Sequence, residues 1–264
     1  MNNSSKSAGF TIVETLIVLG VTGALFIAII GTMIGRQNRA EFLQATHNIQ
    51  FKIQQSINDV STGFYPNNGD FTCAASPSGP TFTASPRTQG SNEDCVFLGK
   101  VMQFNVGGVA GANETYNTYS IAGLRAPAAL TLLASKPKVI QGMGFDTITR
   151  NALAYGLKTL SVKYNGFTQV GAVGFISGVG VSNGNGGYQS GAQQVDLIPV
   201  NLTLPSQTEA AAVLTIDSNL ASSPVNPSGG VQICFQGGNN QTALITIGSN
   251  GHDLAVKLEV KTCT

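Results

Sequence analysis

The chain has 264 residues, enough for one medium-sized domain with an appendage. Its net charge is +1 and no run of Lys or Arg occurs, so the electrostatic footprint of a nucleic-acid binder is missing. Only 10% of the residues are charged against 42% hydrophobic, with 32 Gly and no Trp, which fits a β-rich extracytoplasmic surface better than a cytosolic enzyme.

Residues 1–9 are polar and carry one basic side chain, Lys6. An apolar stretch follows over 10–35, and from 16 to 35 it holds no charge. At ~1.5 Å per helical residue the charge-free part alone is about 30 Å long, the thickness of a bilayer core. A secretory signal would have a shorter apolar core and a small-residue cleavage site after it. Here the run continues into GRQNRAEFLQATHNIQ. Over 36–62 the residues Phe42, Thr46, Ile49, Ile53, Ile57 and Val60 recur at spacings of four or three, one face of a helix. Gln and Asn fill the other faces, and no Pro falls between 10 and 60. The spacing predicts one helix over 10–60, about 76 Å long. Its first half is compatible with lipid, and its second half must lie on something apolar. Gly63, Pro66 and Gly69 supply the stop.

Glu14 interrupts the apolar run. A carboxylate at bilayer depth costs about 2.5–3.5 kcal/mol on insertion scales, and less near a helix end. The string Gly9-Phe10-Thr11-Ile12-Val13-Glu14, behind a polar leader and ahead of a long apolar run, resembles the processing site of type IV prepilins and type II secretion pseudopilins. The resemblance covers about the first sixty residues. It implies that a prepilin peptidase cuts after Gly9, that Phe10 becomes an N-methylated terminus, and that Glu14 serves assembly. The implied partners are other pilin subunits, an inner-membrane assembly platform and membrane lipid. Cleavage would place a cationic amine on Phe10 in the same apolar layer as Glu14. The two charges could pair between neighbouring subunits or within one chain, four residues apart. The chain departs from many members in having Gly31 where they carry Pro. Basic residues also sit on both sides of the span, Lys6 before it and Arg36 and Arg39 after it, so charge counting alone leaves topology open.

Beyond the helix, 67–94 is rich in Pro, Gly, Ser and Thr and reads as a loop region. Strands are expected over 96–106, 118–122, 159–164, 170–176 and 197–204, with a short helix in 145–157 and a Gly-rich loop at 178–191. Residues 209–216 fit neither period clearly. At the C-terminus, 231–235, 243–247 and 254–260 read as an antiparallel meander with turns at GGNN and SNGHD. A second sheet inserted before it fits the remaining pattern. Cys73, Cys95, Cys234 and Cys263 form no CxxC pair, and in an exported domain an even count suggests two disulfides. Of the three possible connectivities, Cys73–Cys95 and Cys234–Cys263 close the two local loops and are expected.

Phosphate-loop, nucleophile-elbow and HExxH patterns are absent, and His47 and His252 stand far apart. No catalytic residue, cofactor or metal is therefore expected. The expected fold is α+β: a leader at 1–9, a membrane-spanning half at 10–35, an amphipathic half at 36–62, and an antiparallel β-sheet domain at 63–264 on which that half packs. The expected function is that of a filament subunit, held first in the cytoplasmic membrane by a single span and then in a cell-surface pilus or secretion pseudopilus. The alternative is an anchored adhesin or binding module that does not polymerise.

Overall fold

The computed structural model describes residues 11–63, 71–86, 94–104, 111–125, 132–142, 147–166, 168–177, 195–202, 209–222, 230–249 and 254–263. Helix α1 (Ile12–Ser61) is continuous over 50 residues. Thr11 caps its start, the hydroxyl accepting the Glu14 N–H at 3.3 Å. In the first half, the Thr15 and Thr22 hydroxyls donate to the Ile12 and Val18 carbonyls at 2.8 and 2.7 Å, so neither needs water. The helix ends where the Thr62 N–H closes on the Asn58 carbonyl at 2.9 Å and Gly63 turns left-handed at φ +67°.

The expected loop at 67–94 is wrong over its described part. Strands β1 (Phe71–Ser76) and β2 (Gly79–Ala84) form an antiparallel hairpin about Pro77 and Ser78. Its Ser, Thr and Pro content masked a buried face, where Phe71 meets Phe82 edge-on with ring centroids 5.9 Å apart. Strands β3 (Cys95–Phe104) and β4 (Thr115–Leu124) pair next, and β5 (Lys138–Val139) and β6 (Thr149–Ala152) both pair with β4. The helix expected within 145–157 is thus replaced by β6 and a single 3-10 turn at Ala154–Gly156. The open edge of β4 takes Thr149 to Ala152 as a partner, which local propensity does not register. Strands β7 (Lys158–Tyr164) and β8 (Thr168–Gln169) go elsewhere, while β9 (Ala172–Ser177) and β10 (Val195–Val200) complete a six-stranded sheet in the order β10-β9-β3-β4-β5, with β6 on β4. The ambiguous segment at 209–216 opens helix α2 (Glu209–Ser222). Residues 178–191 lie outside the described residues.

Strands β11 (Val231–Gln236), β12 (Thr242–Ser249) and β13 (Leu254–Glu259) form the expected meander. It is not a separate unit, because β7 pairs with β11 and the second sheet runs β13-β12-β11-β7-β8. Every pairing in both sheets is antiparallel.

Two buried clusters organise these elements. In one, Phe42, Ala45, Ile49, Ile53 and Val60 of α1 join Met102, Phe104 and Phe175 of the six-stranded sheet and Ile233, Phe235 and Ile245 of the five-stranded sheet. In the other, Ala212, Val213, Ile216 and Leu220 of α2 join Leu98, Val101, Ile121, Ile176 and Ile198 on the opposite face of the six-stranded sheet. That sheet is covered on both faces, so β3 is almost continuously buried instead of alternating. Gly99 lies at a bulge there, where a Cβ would overlap the Phe175 carbonyl of the neighbouring strand. The disulfide Cys73–Cys95 ties the hairpin to β3, and Cys234–Cys263 ties β11 to the tail beyond β13.

Candidate functional site

The feature that departs most from an ordinary domain is the first half of α1. Every large apolar side chain described between Ile12 and Met33 is exposed, from 53% at Ile29 to 80% at Ile12. None of the span's most apolar window is buried against the rest of the chain, and the helix is long and apolar enough to cross a membrane. Burying such a side chain is worth ~1.5–3 kcal/mol, and about a dozen half-shielded ones leave on the order of 10–20 kcal/mol unrealised in water. That rivals the ~5–15 kcal/mol stability of a whole domain. This surface therefore requires lipid or apolar protein around it.

The second half behaves differently from Phe42 onward. Phe42, Ala45, Thr46, Ile49, Ile53, Ser56 and Val60 are buried, while Gln44, His47, Asn48, Gln54, Gln55 and Asn58 are exposed. Two polar contacts and one close packing contact reinforce the docking. Lys100 of β3 reaches Asp59 at 2.5 Å, with side-chain exposures of only 9% and 17%. Gln50 donates to the Val256 carbonyl of β13 at 3.2 Å. Phe42 sits so close to Gly237, at the β11–β12 turn, that a Cβ there would overlap its ring.

Glu14 lies in the first turn of the exposed half, where a carboxylate also favours the helix dipole. No ion pair among the described residues involves it. Gly9 and Phe10, the expected cleavage pair, lie outside the described residues. The four cysteines are all paired in disulfides and stand apart from Glu14, on the sheet domain.

Sequence reasoning missed a polar cluster, buried at Gln103, Asn117 and Tyr119 and open at Arg150, that fixes the start of α2. Tyr119 donates to Gln103 at 2.5 Å, and Asn117 donates to Glu209 at 3.1 Å. Arg150 grips the same Glu209 carboxylate through Nε and Nη2 at 2.5 and 2.6 Å. Burial pushes the Tyr119 hydroxyl up to about 12, so it stays a neutral donor. Further along α2, Asp217 accepts the Val139 N–H at 2.7 Å, and burial raises its carboxyl to about 6. Asp196 on β10 is raised to about 6 by burial as well. These contacts join elements as distant in sequence as β4 and α2, beyond the reach of any local pattern. The cluster pairs no nucleophile with a base, and among the described residues no group of three or more His, Cys, Asp or Glu could hold a metal ion.

No family model, no curated protein and no solved structure matches the chain.

Proposed function

We propose that this chain is a type IV pilin-like or pseudopilin-like subunit: it loses residues 1–9, is held in the membrane by 10–35, and polymerises through that same helix half. One observation carries this reading: a single uninterrupted helix is bare and apolar in its first half and sunk into a β-rich domain in its second. A monomer in water has no use for the bare half. A membrane accommodates it before assembly, and neighbouring copies of the same apolar surface accommodate it afterwards. Glu14 supplies what a plain anchor lacks. An unpaired carboxylate in a low-dielectric layer bears its desolvation cost in full, whereas a cationic Phe10 terminus of a neighbouring subunit recovers much of it and fixes the axial register. The role is structural, with residues 63–264 as the extracytoplasmic domain, and the two disulfides fit an exported location. Prepilin peptidase, an assembly platform, membrane lipid and other subunits are the partners this implies.

N-terminal sequencing with intact mass of the membrane-extracted protein tests it. The expected mature chain starts at N-methylated Phe10. A chain that keeps Met1, or starts beyond the apolar run, refutes processing. Retention of Met1 with stable membrane insertion would instead identify an anchored binding module that does not polymerise.

A further inference from the structure

The helix and the sheet domain enclose a groove where α1 leaves the domain, about 350 Å³ in volume and lined by Arg39, Phe42 and Leu43 of the helix and by Gln241, Thr242 and the tail at 260–262. Resting on the membrane reading above, we propose that this groove binds the phosphate of one anionic phospholipid, between Arg39 and Lys261.

Depth is the first argument. The apolar run ends at Gly35, so Arg39 follows about 6 Å and Leu43 about 12 Å further along the helix. A headgroup layer is about 5–8 Å thick on each side of the hydrocarbon core. The Arg39 end of the groove therefore stands at headgroup level, with the Leu43 end beyond it on the water side. The path of β13 agrees, because its Val256 contacts Gln50 while Val260, just past its end, lies beside Leu43, so the strand runs back toward the span.

Charge is the second argument. Arg39 has no ion-pair partner among the described residues. Lys261 and Lys257 share the single Glu259 carboxylate, at 2.5 and 2.6 Å, which leaves one net positive charge on the three. Glu41, the neighbouring acid on α1, is engaged by the Gln37 amide at 2.9 Å.

Lys261 is also held in place. Its carbonyl accepts the Thr242 hydroxyl at 2.9 Å, and Cys263 is bonded to Cys234. Val260, 57% exposed beside it, gives the groove an apolar lip that water does not favour.

The test uses the full chain in nanodiscs of phosphatidylcholine with a minority of phosphatidylglycerol, released into detergent for native mass spectrometry of the retained lipid. Each Lys or Arg near an anionic surface contributes about fivefold, and Glu259 offsets part of the Lys261 charge, so retained phosphatidylglycerol should exceed its share about tenfold. Arg39→Gln with Lys261→Gln should bring the ratio close to parity, while Lys158→Gln on β7, outside the groove, should leave it unchanged. Parity in the unmodified chain, or a preference that survives the double substitution, overturns the groove. Loss of the preference on adding inorganic phosphate overturns the lipid as its occupant in favour of a free anion. Alkaline extraction of the same samples separates the two readings: a chain that inserts without lipid preference refutes only the groove, and a chain that fails to insert refutes both.

Discussion

Ile53 and Ile27 lie on the same helix, yet the first is 0% and the second 75% exposed. Ile53→Ala removes three carbon groups from the cluster that joins α1 to both sheets. The transfer term is about 2.4 kcal/mol at ~0.8 kcal/mol per group, and the residual cavity raises the expected cost to about 3–4 kcal/mol. For a domain of this size that is a fall in Tm of about 6–16 °C, at ~2–4 °C per kcal/mol. Ile27→Ala removes the same groups from a surface that the domain never covers, so it should shift Tm by less than ~2 °C. Both are measured on the full chain in one mild detergent, by thermal scanning followed with near-ultraviolet circular dichroism. Similar losses from the two substitutions would show that the helix does not change roles between its halves, and the reasoning about its exposed part would fail.

Three shorter predictions follow from other parts of the molecule. Glu14→Ala should insert and be cleaved as before but fail to enter filaments, read by subunit content of sheared filaments; normal incorporation would remove Glu14 from assembly. Asp217→Asn keeps the acceptor for the Val139 N–H while removing a carboxyl whose folded value is raised to about 6 by burial. Between the unfolded value of 3.8 and about 6, the folded chain holds a proton that the unfolded chain lacks, so this contribution is complete below the lower value and is lost as pH rises through the upper one. The substitution should raise stability by up to about 3 kcal/mol at pH 7.5 and leave it nearly unchanged below pH 4, as measured by urea unfolding across pH, and a loss at pH 7.5 would contradict it. Cys263→Ser opens the loop closed with Cys234 and should lower stability by about 2–4 kcal/mol, with the tail at 260–263 becoming protease-sensitive, seen by limited proteolysis with mass mapping.

How much of this was legible depends on the range of the interactions involved. α1 was read almost to its ends because its evidence is local: a Pro-free stretch, a 3.6 period at Phe42, Ile49 and Ile53, and a Gly stop. The C-terminal meander was readable for the same reason, its strands being separated by short turns. The hairpin of β1 and β2 was missed because Pro, Ser and Thr dominate its composition, and its burial depends on a disulfide and on the residues beneath it. β7 was recognised as a strand but not placed, since its partner β11 begins at Val231, facing Tyr164, a pairing no turn signal announces. α2 was ambiguous because its buried stripe, Ala212, Val213, Ile216 and Leu220, is broken by Leu214, which is 73% exposed. The acidic residue in the apolar run lies at the opposite extreme: Glu14 is conspicuous in sequence through the cost of its surroundings, and the fold adds only that those surroundings stay uncovered.

The junction between the two halves of α1 carries a physical demand of its own. Between Gly35, the last residue of the apolar run, and Phe42, the first buried residue, stand only Arg36, Gln37, Asn38, Arg39, Ala40 and Glu41. They span about 9 Å of unbroken helix. A linker of that length in coil would let the domain tumble, but a helix without Pro or an internal Gly transmits orientation. Once the first half is fixed in a bilayer, the domain is held at a set angle and within a headgroup's depth of its surface. The turn beside Gly237, Val260 and Lys261 must then face the membrane plane, because all of it packs near Phe42 and Leu43. On the proposed filament reading, a register set at Glu14 would be carried along the continuous helix to Ile53 and the sheets around it, and stacked domains would inherit the spacing of the helices beneath them.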